Sequence, residues 1–240
     1  IWAPDINYIN GKYVLYYAMS VWGGEQTCGI GVATANSPQG PFTDHGKMFR
    51  SNEIGVQNSI DPSLLQYEGR NYLVWGSFRG IYVIELTADG LSIMSGAKKK
   101  RIAGTAFEAV YIHKHGDYYY MFASIGSCCQ GVKSTYKVVV GRSKKVWGPY
   151  KDKTGKPMLK NGYSLVIGAN DHFVGNGHGS QIIQDDAGQD WLLYHGFSRS
   201  TPENGRILLL DQIKWDQEGW PYVEGGSPSY ETQKAPVFNN

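Results

Sequence analysis

SIDPSLLQYEGRNYLVWGSF, residues 59–78, sets out one structural unit. A polar residue opens a short apolar run, Glu-Gly-Arg-Asn turns the chain, and Tyr72-Leu73-Val74-Trp75 returns from it. The stretch GIYVIELTADGLSI follows with a third apolar run and a short fourth. Aromatic and β-branched residues favour strands, and Gly and Asn favour the turns between them. The same design occurs three more times, at APDINYINGKYVLYYAMS (3–20), FEAVYIHKHGDYYYMFASIGS (107–127) and GHGSQIIQDDAGQDWLLYHGF (177–197). The apolar runs are nearly continuous, which indicates burial on both faces. No segment shows a helical period. Four-stranded units in series, with blade-like bounds of about 1–50, 59–95, 107–152 and 177–228, predict an all-β fold of the β-propeller kind.

In that architecture the first strand of every blade lines the central axis. The residues expected to converge there are Asp5, Asp61, Glu108 and His178. Carboxylates brought together repel, so at least one should have a raised pKa unless a cation intervenes. Asp61 and Glu108 are therefore the candidates for chemistry. Asp5 is divided between chemistry and ordinary Pro-Asp turn formation.

The net charge of +2 over 240 residues gives no reason to expect a nucleic-acid partner. The one basic run, Lys98-Lys99-Lys100-Arg101, reads as a solvated loop. No apolar run reaches the ~20 residues of a membrane-spanning helix, so membrane insertion is not expected. The 17 Tyr, 7 Trp and 31 Gly fit strands with tight turns, and also a surface of flat rings suited to sugars. Three Cys argue against a disulfide scaffold, and Cys128-Cys129 reads as two buried thiols rather than a vicinal disulfide. His113 and His115 alternate on one strand beside a hairpin turn. They read as exposed, and two ligands are too few for a metal.

An ordered set of motifs resembles glycoside hydrolase family 43, in its endo-1,5-α-L-arabinanase branch: WAPD (2–5), NSIDPS (58–63), WGSF (75–78), GSCCQGVKSTYK (126–137), GRS (141–143), GPYKDKTG (148–155) and GHG (177–179). The resemblance covers nearly the whole chain. It implies a five-bladed β-propeller and inverting hydrolysis of α-1,5-linked L-arabinofuranose chains. It makes Glu108 the general acid and Asp61 the residue that tunes and orients it. An ionised Asp61 nearby would keep Glu108 protonated. Trp2, Asn58, Ser77 and Phe78 are then candidate substrate contacts, and Arg79 stands where arabinanases often carry an aromatic. His178 is the matching position for a metal, calcium in that family, with water as its other ligands. Exo-arabinanase, arabinofuranosidase and β-xylosidase activities share this acid and Asp. A glycan-binding propeller without catalysis is a further alternative.

Only four of the five blades can be counted, in one domain spanning 1–240. The general base of the family, in an Asp-Pro context, has no match in this chain and is expected ahead of Ile1. A ring short of a blade should leave two apolar sheet faces exposed, and a monomer is expected once that blade is supplied. Arabinan is an extracellular plant polymer, so a secreted, cell-surface or periplasmic location is expected.

Overall fold

The computed structural model describes residues 1–239. Its strands form four antiparallel sheets, each following chain order from an innermost to an outermost strand. The first holds β1 (Trp2–Ile9), β2 (Lys12–Met19), β3 (Gly29–Ala35) and β4 (Thr43–Arg50). The second holds β5 (Ser63–Tyr67), β6 (Arg70–Trp75), β7 (Ile81–Glu85) and β8 (Lys100–Ala103). The third holds β9 (Glu108–His115), β10 (Tyr118–Ile125), β11 (Lys137–Ser143) and β12 (Ser164–Ile167). In the fourth, β13 (Phe173–Gly177), with the short β14 (Ile183–Gln184) beside it, pairs β15 (Asp190–Ser198), followed by β16 (Arg206–Trp215) and β17 (Pro221–Tyr222). Each is the four-stranded blade expected. The second and third blades run on to Ala103 and Ile167, and the fourth starts earlier, at Phe173. The basic run is only half loop: Lys100 and Arg101 open β8, the outer edge of its blade, where charge guards an unpaired edge.

The chain divides into two compact units, Ile1–Val110 with Leu159–Asn161, and Tyr111–Met158 with Gly162–Asn240. The core of the first lies between its two blades: Tyr16, Ile30, Phe49, Leu73 and Trp75 are all buried there. Phe49 and Trp75 pack with ring centroids 5.2 Å apart, and the Trp75 indole N–H is satisfied by Ser59 Oγ at 3.0 Å. The core of the second unit gathers Tyr120, Phe122, Val138, Ile167, Leu192 and Tyr194. Arg142 lies over the rings of both Tyr118 and Trp220, at 4.3 and 4.1 Å. Ile6 and Tyr8 of β1 are exposed in the first unit, and Leu208 of β16 is 74% exposed in the second.

The innermost strands begin irregularly. Ala3, Asp61, Ala109 and His178, at or just outside these strands, all have positive φ, between 46° and 56°. Such backbone is uncommon for residues with a Cβ. Its repetition shows that the fold imposes the bend, on Ala3 and Ala109 as well as on Asp61 and His178, whose types tolerate it better.

Candidate active site

In the first unit the innermost strands are stitched to one another by side chains. The Asp5 carboxylate, 5% exposed, accepts the Leu64 amide at 2.7 Å and the Asn7 side chain at 2.7 Å. Ser63 Oγ donates to the Val110 carbonyl at 2.6 Å. Asp61 accepts the Ala109 amide at 3.2 Å. Asp5 thus joins β1 to β5, which is the structural side of the choice left open for it.

Glu108 is the first residue of β9 and is buried. Ser77 Oγ donates to its carboxyl at 2.6 Å. Asn58 Nδ2 in turn donates to Ser77 Oγ and to the Ser77 carbonyl, both at 3.0 Å. With Asn58 occupying the acceptor side of that hydroxyl, its proton is directed to Glu108. The segment around Ser77 is shaped by Gly76, whose φ is 124° and whose Cβ, if it had one, would meet the Gly80 carbonyl oxygen at 2.3 Å. Phe78 N–H then bonds the Phe107 carbonyl at 2.9 Å, which sets Ser77 beside Glu108.

Two expected substrate contacts, Ser77 and Asn58, bond within the protein toward Glu108. Ser77 is buried and its hydroxyl donates to the Glu108 carboxyl. Asn58, at φ 55°, in turn holds Ser77 through its carbonyl and hydroxyl. Trp2 and Phe78 are both half-buried. Arg79 is exposed and held by a bidentate pair to Glu25, at 3.0 and 2.9 Å.

Asp61 carries the raised pKa that crowding of carboxyls had suggested, for a different reason. Burial pushes it up to about 7, while the Ala109 amide pulls the other way. The expectation of a plainly ionised Asp61 beside Glu108 is therefore corrected: near neutral pH it is divided between both forms.

In the second unit, His178 follows β13 and is half-buried, its amide donating to Ser124 Oγ at 2.8 Å. Its ring lies 6.1 Å from that of His195, which sequence reasoning passed over because nothing marks it among the apolar residues of β15. Burial, with His178 and Arg206, pushes the His195 pKa down to about 4, so it is neutral. Its Nδ1 is buried without a hydrogen-bond partner. A half-open imidazole backed by a neutral one, with an orphaned polar atom beside it, fits a cation held by one His and several waters.

Two further expectations are revised. Cys128 and Cys129 form a disulfide in a bend after β10, where Cys128 is half-buried and Cys129 exposed rather than both buried as thiols. The free cysteine is the buried Cys28. His113 and His115 are half-buried rather than exposed, because Trp215 packs against them.

The description "Glycosyl hydrolases family 43" matches residues 1–221. The chain belongs to this family. It is 39% identical to the extracellular exo-α-(1→5)-L-arabinofuranosidase ArbA of Cellvibrio japonicus, over 93% of this chain and 70% of that protein. It is 38% identical to the extracellular endo-α-(1→5)-L-arabinanase 1 of Bacillus subtilis, over 92% and 68%. The solved α-L-arabinanase of Cellvibrio cellulosa, in complex with arabinohexaose, superposes with a TM-score of 0.85 at 35% identity, covering 94% of this chain and 78% of that one. This family-43 chain is thus a glycoside hydrolase with an all-β propeller fold, represented here by four blades.

Proposed function

We propose that this family-43 protein hydrolyses α-1,5-linked L-arabinofuranose chains with inversion at the anomeric carbon. The observation that supports it most is the buried Glu108 held by the Asn58–Ser77 relay, with Asp61 bonded to the very next amide. The relatives named for arabinan cleavage supply the substrate class. Glu108, protonated, gives its proton to the departing glycosidic oxygen as the bond to the anomeric carbon breaks. Water enters from the opposite face, activated by a second carboxylate about 6.5–9.5 Å from the acid. None of the residues assigned here is that base. Asp61 fixes the head of β9 through the Ala109 amide and so orients Glu108. Trp2 and Phe78 offer flat apolar faces to the sugar rings.

Calcium, held by His178 and water, supplies fixed positive charge and ordered water when bound. The extracellular relatives support secretion of this protein as well.

Endo action is the leading reading, and an exo-acting relative of almost equal identity keeps exo action as the second. The test is digestion of debranched 1,5-α-arabinan with chromatography of the early products. Mixed oligomers are expected for endo action, and a single short product from the first time points marks exo action. Cleavage of xylan with arabinan left intact would overturn the substrate assignment.

A further inference from the structure

A second cluster of chemistry-bearing side chains lies wholly within the second unit. His113 and His115 share one face of β9 and look toward Asp190, the first residue of β15 in the next blade. One ring nitrogen of each histidine and one carboxylate oxygen all lie within 4.8 Å of one another. We propose that His113, His115 and Asp190 bind a divalent transition-metal ion of the zinc class, with water completing its shell.

The donor set selects the ion. Two imidazoles and a carboxylate suit zinc, nickel, cobalt or copper, whereas calcium and magnesium take oxygen ligands. A tetrahedral zinc with bonds of 2.0–2.2 Å holds its ligand atoms about 3.4 Å apart. The three ligand atoms, within 4.8 Å of one another, therefore have to draw closer by about 1.4 Å to close on the ion. The carboxylate is already aimed. Trp215 Nε1 donates to Asp190 Oδ2 at 2.7 Å and Gln184 Nε2 to Oδ1 at 3.1 Å, leaving further lone pairs for a metal. Such outer bonds orient metal ligands. Trp215 also stacks on His115, centroids 3.7 Å apart and planes 8° apart, which fixes the ring plane.

A plain His115–Asp190 ion pair accounts for less. Its atoms are 3.7 Å apart, and it leaves no reason for a second imidazole in the same cluster. One cation satisfies all three groups. It would tie β9 of one blade to β15 of the next, a clip formed from residues far apart in sequence.

The test is titration of the metal-stripped protein with zinc chloride, followed by calorimetry and thermal melting. Saturable binding of one ion per chain is expected, with a rise in melting temperature of about 5 °C at a hundredfold excess over Kd. The double variant His113→Gln/His115→Gln should lose both effects. Trp215→Phe, which keeps all three ligands, should weaken binding about tenfold or more. His178→Ala, checked for folding by circular dichroism, should bind zinc as the parent does. Asp190→Asn adds a third ligand test, and because Asp190 is buried the histidine variants stand as evidence if that protein does not fold. The proposal is overturned by absence of saturable binding to the parent protein, by unchanged binding in the double variant, by loss of binding in His178→Ala alone, or by stoichiometric displacement with calcium.

Discussion

Glu108 and Asp61 are two buried carboxyls with different supports, and they respond differently to substitution. Glu108→Gln keeps the shape and the acceptor for Ser77 but cannot deliver a proton. Turnover of arabinan should fall about 10²–10⁴-fold, while calorimetric binding of arabino-oligosaccharides stays within a few-fold. Ser77→Ala removes the bond from Ser77 Oγ to the Glu108 carboxyl. That bond favours the ionised form, so the alkaline limb of the pH–rate profile should move to higher pH, and kcat should drop by less than in Glu108→Gln. A substrate-contact role for Ser77 would instead raise KM and leave the profile in place. Asp61 has a folded pKa near 7 against an ordinary 3.8. Between about pH 4 and 7 the folded state therefore binds more protons than the unfolded one, and stability falls as pH rises through that window. Asp61→Asn, which also tolerates positive φ, should be the more stable protein at pH 8, by on the order of 4 kcal/mol, with the gain gone near pH 4. Urea unfolding at both pH values measures this, and hydrolysis should be impaired in the variant.

The innermost strands are the elements on which function rests, and their heads depend on close packing. Gly177 ends β13 immediately before His178. A Cβ there would meet ring carbons of the buried Tyr136 at 2.3 Å. Gly177→Ala should therefore cost about 1–3 kcal/mol in thermal or urea unfolding, as overpacking does, and displace His178 with it. Strand existence was legible here, since Tyr72–Trp75 and Tyr118–Phe122 are continuous apolar runs between turns. The stitching was not legible: nothing local in Asp5 or Ser63 says that its partner is an amide or carbonyl on the next blade. The disulfide at Cys128–Cys129 is not legible locally either, because the exposure of this pair is a property of the packed loop.

Across the molecule, each of the two units buries its own core; Asp61 and Glu108 belong to the first and His178 to the second. Calcium removal is the measurement suited to this scale. A calcium chelator should lower the melting temperature of the protein and calcium should restore it, while His178→Ala should show no such dependence. Zinc reports on different residues and should act independently of that variant.

The sequence by itself determined the four-blade repeat, the family, and the identity of Asp61 and Glu108 as the carboxyls at the heads of inner strands. Those readings rest on local patterns of apolar runs, turns and motifs, which survive without knowledge of neighbours. Only the tertiary structure decided what each polar group faces. It bonded Asn58 to Ser77 and Ser77 to Glu108, gave Asp61 its raised pKa through burial, and brought Asp190 to His113 and His115. Desolvation and hydrogen-bond partnership depend on residues distant in the chain, so they exist only once the blades have packed.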